Sequence, residues 1–277
     1  MDETKDLFSD ACTENGATSI YSLFSGGHDS VCATHLASKH PSFKGVLHIN
    51  TGIGIEATRE YVRYICKKFG WHLWEYKAAE CLRADGGSAP QVYSDICKKY
   101  GFPGSNELGH RMMYSKLKER PLRQFEREVA RSDKLWIYAS GCRQQESVRR
   151  MGNGSPIQKR GRSIWISGIW DWSKGDVEQY LRDEQIPRNE VVDKLHKSGE
   201  CLCGAFAKAG EFDELAYWYP EVAAKIKTLQ AEVNAEGFPW GWDGSPPAWW
   251  NEKKAGQTFL LDYDNPASMC WSCGKSQ

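Results

Sequence analysis

The chain has 277 residues, and its 36 Lys plus Arg balance 36 Asp plus Glu, which gives a formal charge of zero. That balance excludes a protein coated for non-specific nucleic-acid binding but permits a local basic patch. The length suits one full α/β core with a smaller appended unit. No apolar run approaches the roughly 18 residues of a membrane span, so no membrane association is expected. The opening Met1-Asp2-Glu3-Thr4-Lys5-Asp6 lacks the basic-then-apolar order of a signal peptide. We therefore expect a soluble, cytoplasmic protein whose ten cysteines are reduced thiols or metal ligands.

Residues 1–18 are polar and acidic and read as a lead-in helix or a frayed tail. Ile20 to Phe24 is a short apolar run with β-branched and aromatic character, which reads as a buried strand. It stops at Ser25-Gly26-Gly27-His28-Asp29-Ser30, and a helix-compatible segment from Val31 to Lys39 follows. A strand, a glycine bend and a helix start make an anion site. The glycines let backbone N–H groups approach a phosphate, the helix dipole points at it, and Ser25 and Ser30 add hydroxyl donors. A second strand from Lys44 to Asn50 ends in the turn Asn50-Thr51-Gly52. Apolar residues at Ala57, Tyr61, Ile65 and Phe69 recur every four positions and predict a helix that Gly70 ends. Trp71 to Tyr76 is a third strand, and the alternation predicts a parallel sheet covered on both faces. Ligands of such sheets bind beyond the carboxyl ends of the strands, where both turns lie.

Pro90 to Tyr100 and Glu107 to Arg131 read as helical, the latter interrupted or restarted at Pro121. Leu135 to Ala139 is a further buried strand and runs into Ser140-Gly141-Cys142-Arg143-Gln144-Gln145-Glu146-Ser147-Val148-Arg149-Arg150. Arg143, Arg149 and Arg150 suit phosphates, and Glu146 suits positioning them or a metal. Cys142 has two readings, a buried structural thiol or a reactive thiol activated by the neighbouring Arg143. Residues 152–162 form a polar, glycine-containing basic stretch that reads as a mobile loop able to close over a substrate, or plainly as a solvated hairpin. Lys159, Arg160 and Arg162 concentrate positive charge there and mark the first place to seek contact with a polyanion. Ser163 to Ile169 is a strand, and Ser173 with Asp176 sets a capping box for the next helix.

Ser25 to Ser30 resembles the Ser-Gly-Gly-x-Asp-Ser loop of the PP-loop ATP pyrophosphatases, and the 141–150 block resembles the Gly-x-Arg-x-x-Glu-Ser-x-Arg-Arg block of their phosphoadenosine-phosphosulfate reductase branch. The resemblance covers about residues 18–185 and implies a doubly wound, mostly parallel α/β sheet of the adenine nucleotide α-hydrolase type. It also implies cleavage of ATP to AMP and pyrophosphate. On this reading Ser25, Gly26, Gly27, His28, Asp29, Ser30, Asn50, Thr51, Gly141, Arg143 and Arg150 bind the nucleotide. Asp29, Ser30, Cys142, Arg143, Glu146 and Arg149 serve catalysis, and Mg²⁺ bridges the phosphates with Asp29 nearby. The chain departs from the family in three places. Asn50 stands where an acidic residue is usual, Met113 and Tyr114 stand where cluster-bearing reductases carry paired cysteines, and the reductases' Glu-Cys-Gly-x-His-like tail is missing.

Beyond Pro187 the strand and helix alternation stops, which divides the chain into a nucleotide-binding unit over 1–186 and a cysteine-rich, mainly helical extension over 187–277. There Cys201-Leu202-Cys203-Gly204 and Cys270-Trp271-Ser272-Cys273-Gly274 offer four thiolates at short spacing. A [4Fe–4S] cluster, a structural Zn²⁺ and four ordinary thiols are the three readings, and the resemblance favours the cluster. Pro220 to Ala235 is a helix, and the segment from Pro239 to Trp250 reads as core or as a docking surface for a protein partner. The nearest functional analogue is the ATP pyrophosphatase of DNA phosphorothioation systems. It implies a nucleic-acid acceptor, DNA in preference to tRNA, and a sulfur donor such as a cysteine desulfurase. Sulfite release from a sulfonucleotide is the alternative.

Overall fold

The computed structural model describes residues 2–81, 92–104, 107–146 and 154–247. Its centre is β1 (Ser19–Leu23), which pairs in parallel with β2 (Phe43–Asn50) on one side and β4 (Trp136–Ala139) on the other. With β3 (Leu73–Lys77), β5 (Ile157–Arg160) and β6 (Ser163–Ile166) the six-stranded order is β3-β2-β1-β4-β6-β5. All neighbours are parallel except β5 with β6. The order runs outward in both directions from the β1/β4 pair, so the crevice at the carboxyl ends of these two strands is the place where such a sheet binds ligands.

Side chains alternate to build two faces. Tyr21, Leu47, Trp136 and Tyr138 pack with Phe125 on one face, and Ile20, Ile137, Ala139, Ile164 and Ile166 pack with Phe8 and Ala37 on the other. The lead-in is a helix, α1 (Asp2–Asn15), because Phe8 and Ala11 bury against this second face. α2 (His28–Ser38) follows β1, and α3 (Glu56–Phe69) ends at Gly70 in the left-handed region, as its spacing predicts. After α4 (Tyr93–Tyr100) the long helical stretch is divided into α5 (Glu107–Tyr114), a π turn over Ser115–Glu119, and α6 (Arg120–Glu128) with Pro121 in its first turn. Proline lacks the N–H that a continuing helix would use, so the register changes just before it. α7 (Lys174–Asp183) begins with the expected Ser173–Asp176 capping box, and α8 (Glu190–Leu195), α9 (Glu211–Trp218) and α10 (Pro220–Ala235) complete the described helices.

Two stretches with paired readings resolve here. The described part of the 152–162 stretch takes the hairpin reading and not the closing-loop one. Residues 157–160 form the edge strand β5, turned back at Gly161 (φ 57°) and registered by Ile157 against Ile166 and Lys159 against Ile164. Arg160 is held over the Trp165 ring at 4.6 Å, which explains the strand: alternation turns every second side chain onto an aromatic wall. In the 239–250 segment the described tryptophans take the core reading. Trp240 and Trp242 are core residues, donating to the carbonyls of Phe102 (2.9 Å) and Leu202 (2.7 Å), so they present no docking surface. Trp249 and Trp250 lie outside the described residues. Trp242 belongs to a buried cluster that also holds Ile55, Tyr93, Phe102, Val191 and Leu202.

Candidate nucleotide site

The bend from Phe24 to His28 crosses the carboxyl end of β1 and opens α2 at its N-cap, Gly27. A helix start leaves its first amides without partners inside the helix, and glycine has no side chain to cap them. Ser30 Oγ donates to the Gly27 carbonyl at 2.8 Å and lies 3.2 Å from Ser25 Oγ, so the two hydroxyls close one rim of the bend. Gly26 takes φ +82°, and a Cβ there would stand 2.5 Å from Thr58 Cγ2, so both its conformation and its space require glycine.

Asn189 braces the bend from behind. Its Nδ2 donates to the Gly26 carbonyl (2.8 Å), its Oδ1 accepts from Val191 N–H as the cap of α8, and its own N–H donates to His28 Nε2 (3.3 Å). His28 is buried, and burial holds its pKa below the ordinary imidazole value, with the Arg188 charge adding to the effect and the Asp193, Glu178 and Asp29 charges opposing it. It therefore serves as a neutral acceptor that fixes the bend. Asn189 and Thr58 were not singled out from the sequence. The only local signal for Asn189 is its place as a helix cap after Pro187.

The 140–146 segment meets the bend across the β1/β4 switch. Gly141 packs so closely that a Cβ would stand 2.6 Å from Ser30 N and Cα and 2.8 Å from Asp29 C. Arg143 follows, with Nε 3.1 Å from Asp29 Oδ2 and Nη1 3.4 Å from the Trp172 carbonyl. Its Nε is buried without an aligned hydrogen bond. Glu146 accepts from the Arg143 backbone N–H at 2.9 Å and thereby folds the turn on which Arg143 stands. Asp29 is thus the ion-pair partner of Arg143. Cys142 is half-buried and lines a small cavity with Ser140, Gln158, Arg160, Trp165 and Ser167. Arg149 and Arg150 lie outside the described residues.

The turn after β2 forms the third wall. Asn50 Oδ1 accepts from Gly52 N–H at 3.0 Å, so its side chain is engaged in shaping the turn. Thr51 is bound to Glu200: its N–H donates to Oε1 (2.8 Å), and its hydroxyl lies 2.5 Å from the Glu200 carbonyl and 3.2 Å from Oε1. Glu200 is itself buried, with Oε2 at 3.4 Å from His48 Nε2 and 3.3 Å from Arg59 Nε. His48 Nδ1 lies 2.7 Å from the Phe24 carbonyl, which links this network to the start of the nucleotide bend. Glu200, His48 and Arg59 escape sequence reading because their partners lie about 150 positions apart.

Glu200 also places the first cysteine pair. Cys201 is half-buried and Cys203 buried on an irregular segment, where the Tyr93 hydroxyl donates to the Cys203 carbonyl at 3.0 Å. Among the described residues no group of three His, Cys, Asp or Glu side chains converges as metal ligands, and no disulfide is formed. Cys270 and Cys273 lie outside the described residues. No described helix is long and apolar enough to cross a membrane.

The model of the phosphoadenosine phosphosulfate reductase domain matches residues 19–205, which span the bend, the 140–146 segment and the Glu200 network. The chain belongs to this family. Among curated proteins it is 27% identical over 245 residues to an uncharacterized protein of Methanocaldococcus jannaschii, covering 84% of this chain and spanning about half (54%) of that relative's length. Among solved structures it is similar to the phosphoadenylyl-sulfate reductase of Candida auris in a phosphate complex (TM-score 0.49, 17% identity, 69% of this chain and 83% of that one). It is also similar to the NMN synthetase of Francisella tularensis (0.45, 16%, 95% and 96%). A third is the U34-tRNA thiolase of Methanococcus maripaludis with its [4Fe–4S] cluster (0.40, 11%, 84% and 78%). This family member places its Ser-Gly-Gly bend and its arginine-bearing segment at one crevice of a mostly parallel sheet.

Proposed function

We propose that this protein binds ATP with the β- and γ-phosphates in the 25–30 bend and cleaves it between the α- and β-phosphates. The observation that carries this reading is Arg143. Its guanidinium stands beside the glycine-capped start of α2, held there by Asp29 at 3.1 Å, and a phosphate entering the bend would meet this planar cationic donor together with the first amides of the helix. An acceptor oxygen attacks the α-phosphorus and pyrophosphate leaves. A sulfur nucleophile then displaces AMP, which carries the acceptor oxygen away. The protein's part is positioning and charge neutralisation: α2 amides and Arg143 on the leaving pyrophosphate, with Asp29 holding Arg143 in place until the nucleotide enters. Mg²⁺ would be held chiefly by the phosphates, with Asp29 as the nearby carboxylate. Arg149 and Arg150 are proposed to complete the grip.

For the acceptor we propose nucleic acid, DNA before tRNA, supplied with sulfur by a cysteine desulfurase. Cys201 and Cys203, brought close to the nucleotide turn by Glu200, supply two of the four thiols proposed for a [4Fe–4S] or zinc centre, with Cys270 and Cys273 as the others. Such a centre, when bound, would anchor the C-terminal segment or hold the sulfur to be delivered; iron, sulfide and zinc analysis separates the two metals. Product analysis tests the main proposal. AMP plus pyrophosphate from ATP supports it, whereas sulfite release from a sulfonucleotide without pyrophosphate from ATP replaces it with the reductase reading that the family match also allows.

A further inference from the structure

One face of the sheet carries a feature that the nucleotide site does not use. An open groove of about 610 Å³ is lined by Arg123, Arg127 and Arg131 on one wall and by Arg160 and Arg162 on the other, with Trp136 and Glu126 at its floor. Arg123 and Arg127 are an i, i+4 pair on one face of α6, about 6 Å apart in rise, and Arg131 lies in the 3-10 turn that follows. The opposite two flank Gly161 in the β5–β6 hairpin. Five guanidiniums thus face one trough in a chain whose total charge is zero.

Among the described residues two carboxylates act on this trough. Glu126 accepts from the Tyr138 hydroxyl at 3.3 Å; burial holds its pKa above the ordinary value, and the Arg123, Arg127 and Arg162 charges oppose that rise. Glu119 lies 3.9 Å from Arg123 and also acts on Arg160, so five arginines face two carboxylates and the trough keeps a net positive charge. Two of the arginines are held in place by the protein. Arg160 lies over Trp165, and Arg162 lies over Trp136 at 5.2 Å while donating to the carbonyls of Arg131, Asp133 and Lys134. The Trp136 indole N–H, buried in the groove wall beside the Tyr138 hydroxyl, has no aligned acceptor.

We propose that this arginine-lined groove binds the phosphodiester backbone of a nucleic acid. An open trough of side-chain donors, without a cradle of backbone amides, suits a polymer that passes through more than it suits an enclosed small phosphate. Its position fits the nucleotide site. Trp136 and Ser163 mark the amino ends of β4 and β6, about 13 Å of strand from the crevice, a length that about four nucleotides span. Arg160 lines both the groove and the small cavity holding Cys142. This inference takes its polymer from the nucleic-acid acceptor proposed above.

The test is fluorescence anisotropy of labelled duplex DNA and of tRNA with the full chain, without ATP, between 50 and 200 mM NaCl. R127A/R131A is expected to weaken binding about tenfold or more and to flatten the log–log salt slope by about 1.4 to 1.8, the share of two phosphate contacts. A charge-matched K67A/K225A variant on exposed faces of α3 and α10 keeps wild-type binding, and circular dichroism confirms the fold of both variants. Tighter binding of DNA or of tRNA supports the groove in either case and names the polymer. Unchanged binding by R127A/R131A, or equal competition by poly-glutamate, overturns it. The outcome is separable from the ATP proposal: groove-dependent binding with no pyrophosphate release refutes catalysis alone, and pyrophosphate release with groove-independent binding refutes the groove alone.

Discussion

Gly141→Ala is the sharpest perturbation of the site, because one added carbon strikes backbone on the other side of the crevice. The new Cβ would stand 2.6 Å from Ser30 N and Cα and 2.8 Å from Asp29 C, and none of these atoms can rotate away. Reaching ordinary contact near 3.4 Å requires the 140–146 segment to separate from the start of α2 by about 0.8 Å, at a cost of ~1–3 kcal/mol in stability. The same shift carries Arg143 away from Asp29 and from the bend, and a misplacement of about 1 Å costs on the order of a hundredfold in rate. Pyrophosphate release from ATP should therefore fall about a hundredfold, while calorimetry shows weaker ATP binding and thermal unfolding shows a modest loss. Arg143→Lys, which keeps the charge but not the planar fork, should lose rate with little loss of stability. Wild-type turnover by G141A would refute the claim that these two segments act as one site.

Other outcomes follow from the same contacts. Glu200→Ala leaves the buried Arg59 with Glu56 (3.1 Å) as its remaining carboxylate and releases Thr51, so denaturant unfolding should show a loss of ~1–3 kcal/mol; Glu200→Gln, which keeps an acceptor for Thr51, should lose less. Asn189→Ala removes the cap of α8 and the donor to Gly26, and should cost ~1–2 kcal/mol while weakening ATP binding in calorimetry. His28 and His35 have pKa values lowered chiefly by burial, so the unfolded chain binds protons that the folded one does not. Stability should then decline as pH falls below about 6.5 and flatten once the folded pKa is passed, and His28→Gln should reduce that decline in melts across pH 5–8.

The elements of this fold that are legible in the chain are those whose signals are local. β1 and the helix after it, α3 with its Gly70 stop, and the Ser173–Asp176 box depend on neighbours within a few positions, and the structure places them as expected. The two glycine segments carry the crevice because glycine and serine patterns record a backbone requirement at the position itself. What escapes is set by distant pairing. Glu200 reads only as the flank of Cys201, and its burial follows from His48, Arg59 and Thr51 meeting it. The 152–162 stretch reads as a loop or a hairpin without distinction, because its polar residues hide an alternation that becomes meaningful only beside Trp165 and Ile166. The arginines of the groove come from a helix with its following turn and from a hairpin about 30 or more positions later, so composition shows their number without their convergence.

The central claim is that the 25–30 bend, closed by Arg143, grips the terminal phosphates of ATP. A crystal structure with the α,β-methylene analogue of ATP and Mg²⁺ tests it directly. The account predicts β- and γ-phosphate oxygens on the amides of Gly26 to Ser30 and on the Arg143 guanidinium, with Asp29 released from its ion pair. A nucleotide bound elsewhere, with the Arg143–Asp29 contact intact and the bend empty, would contradict it.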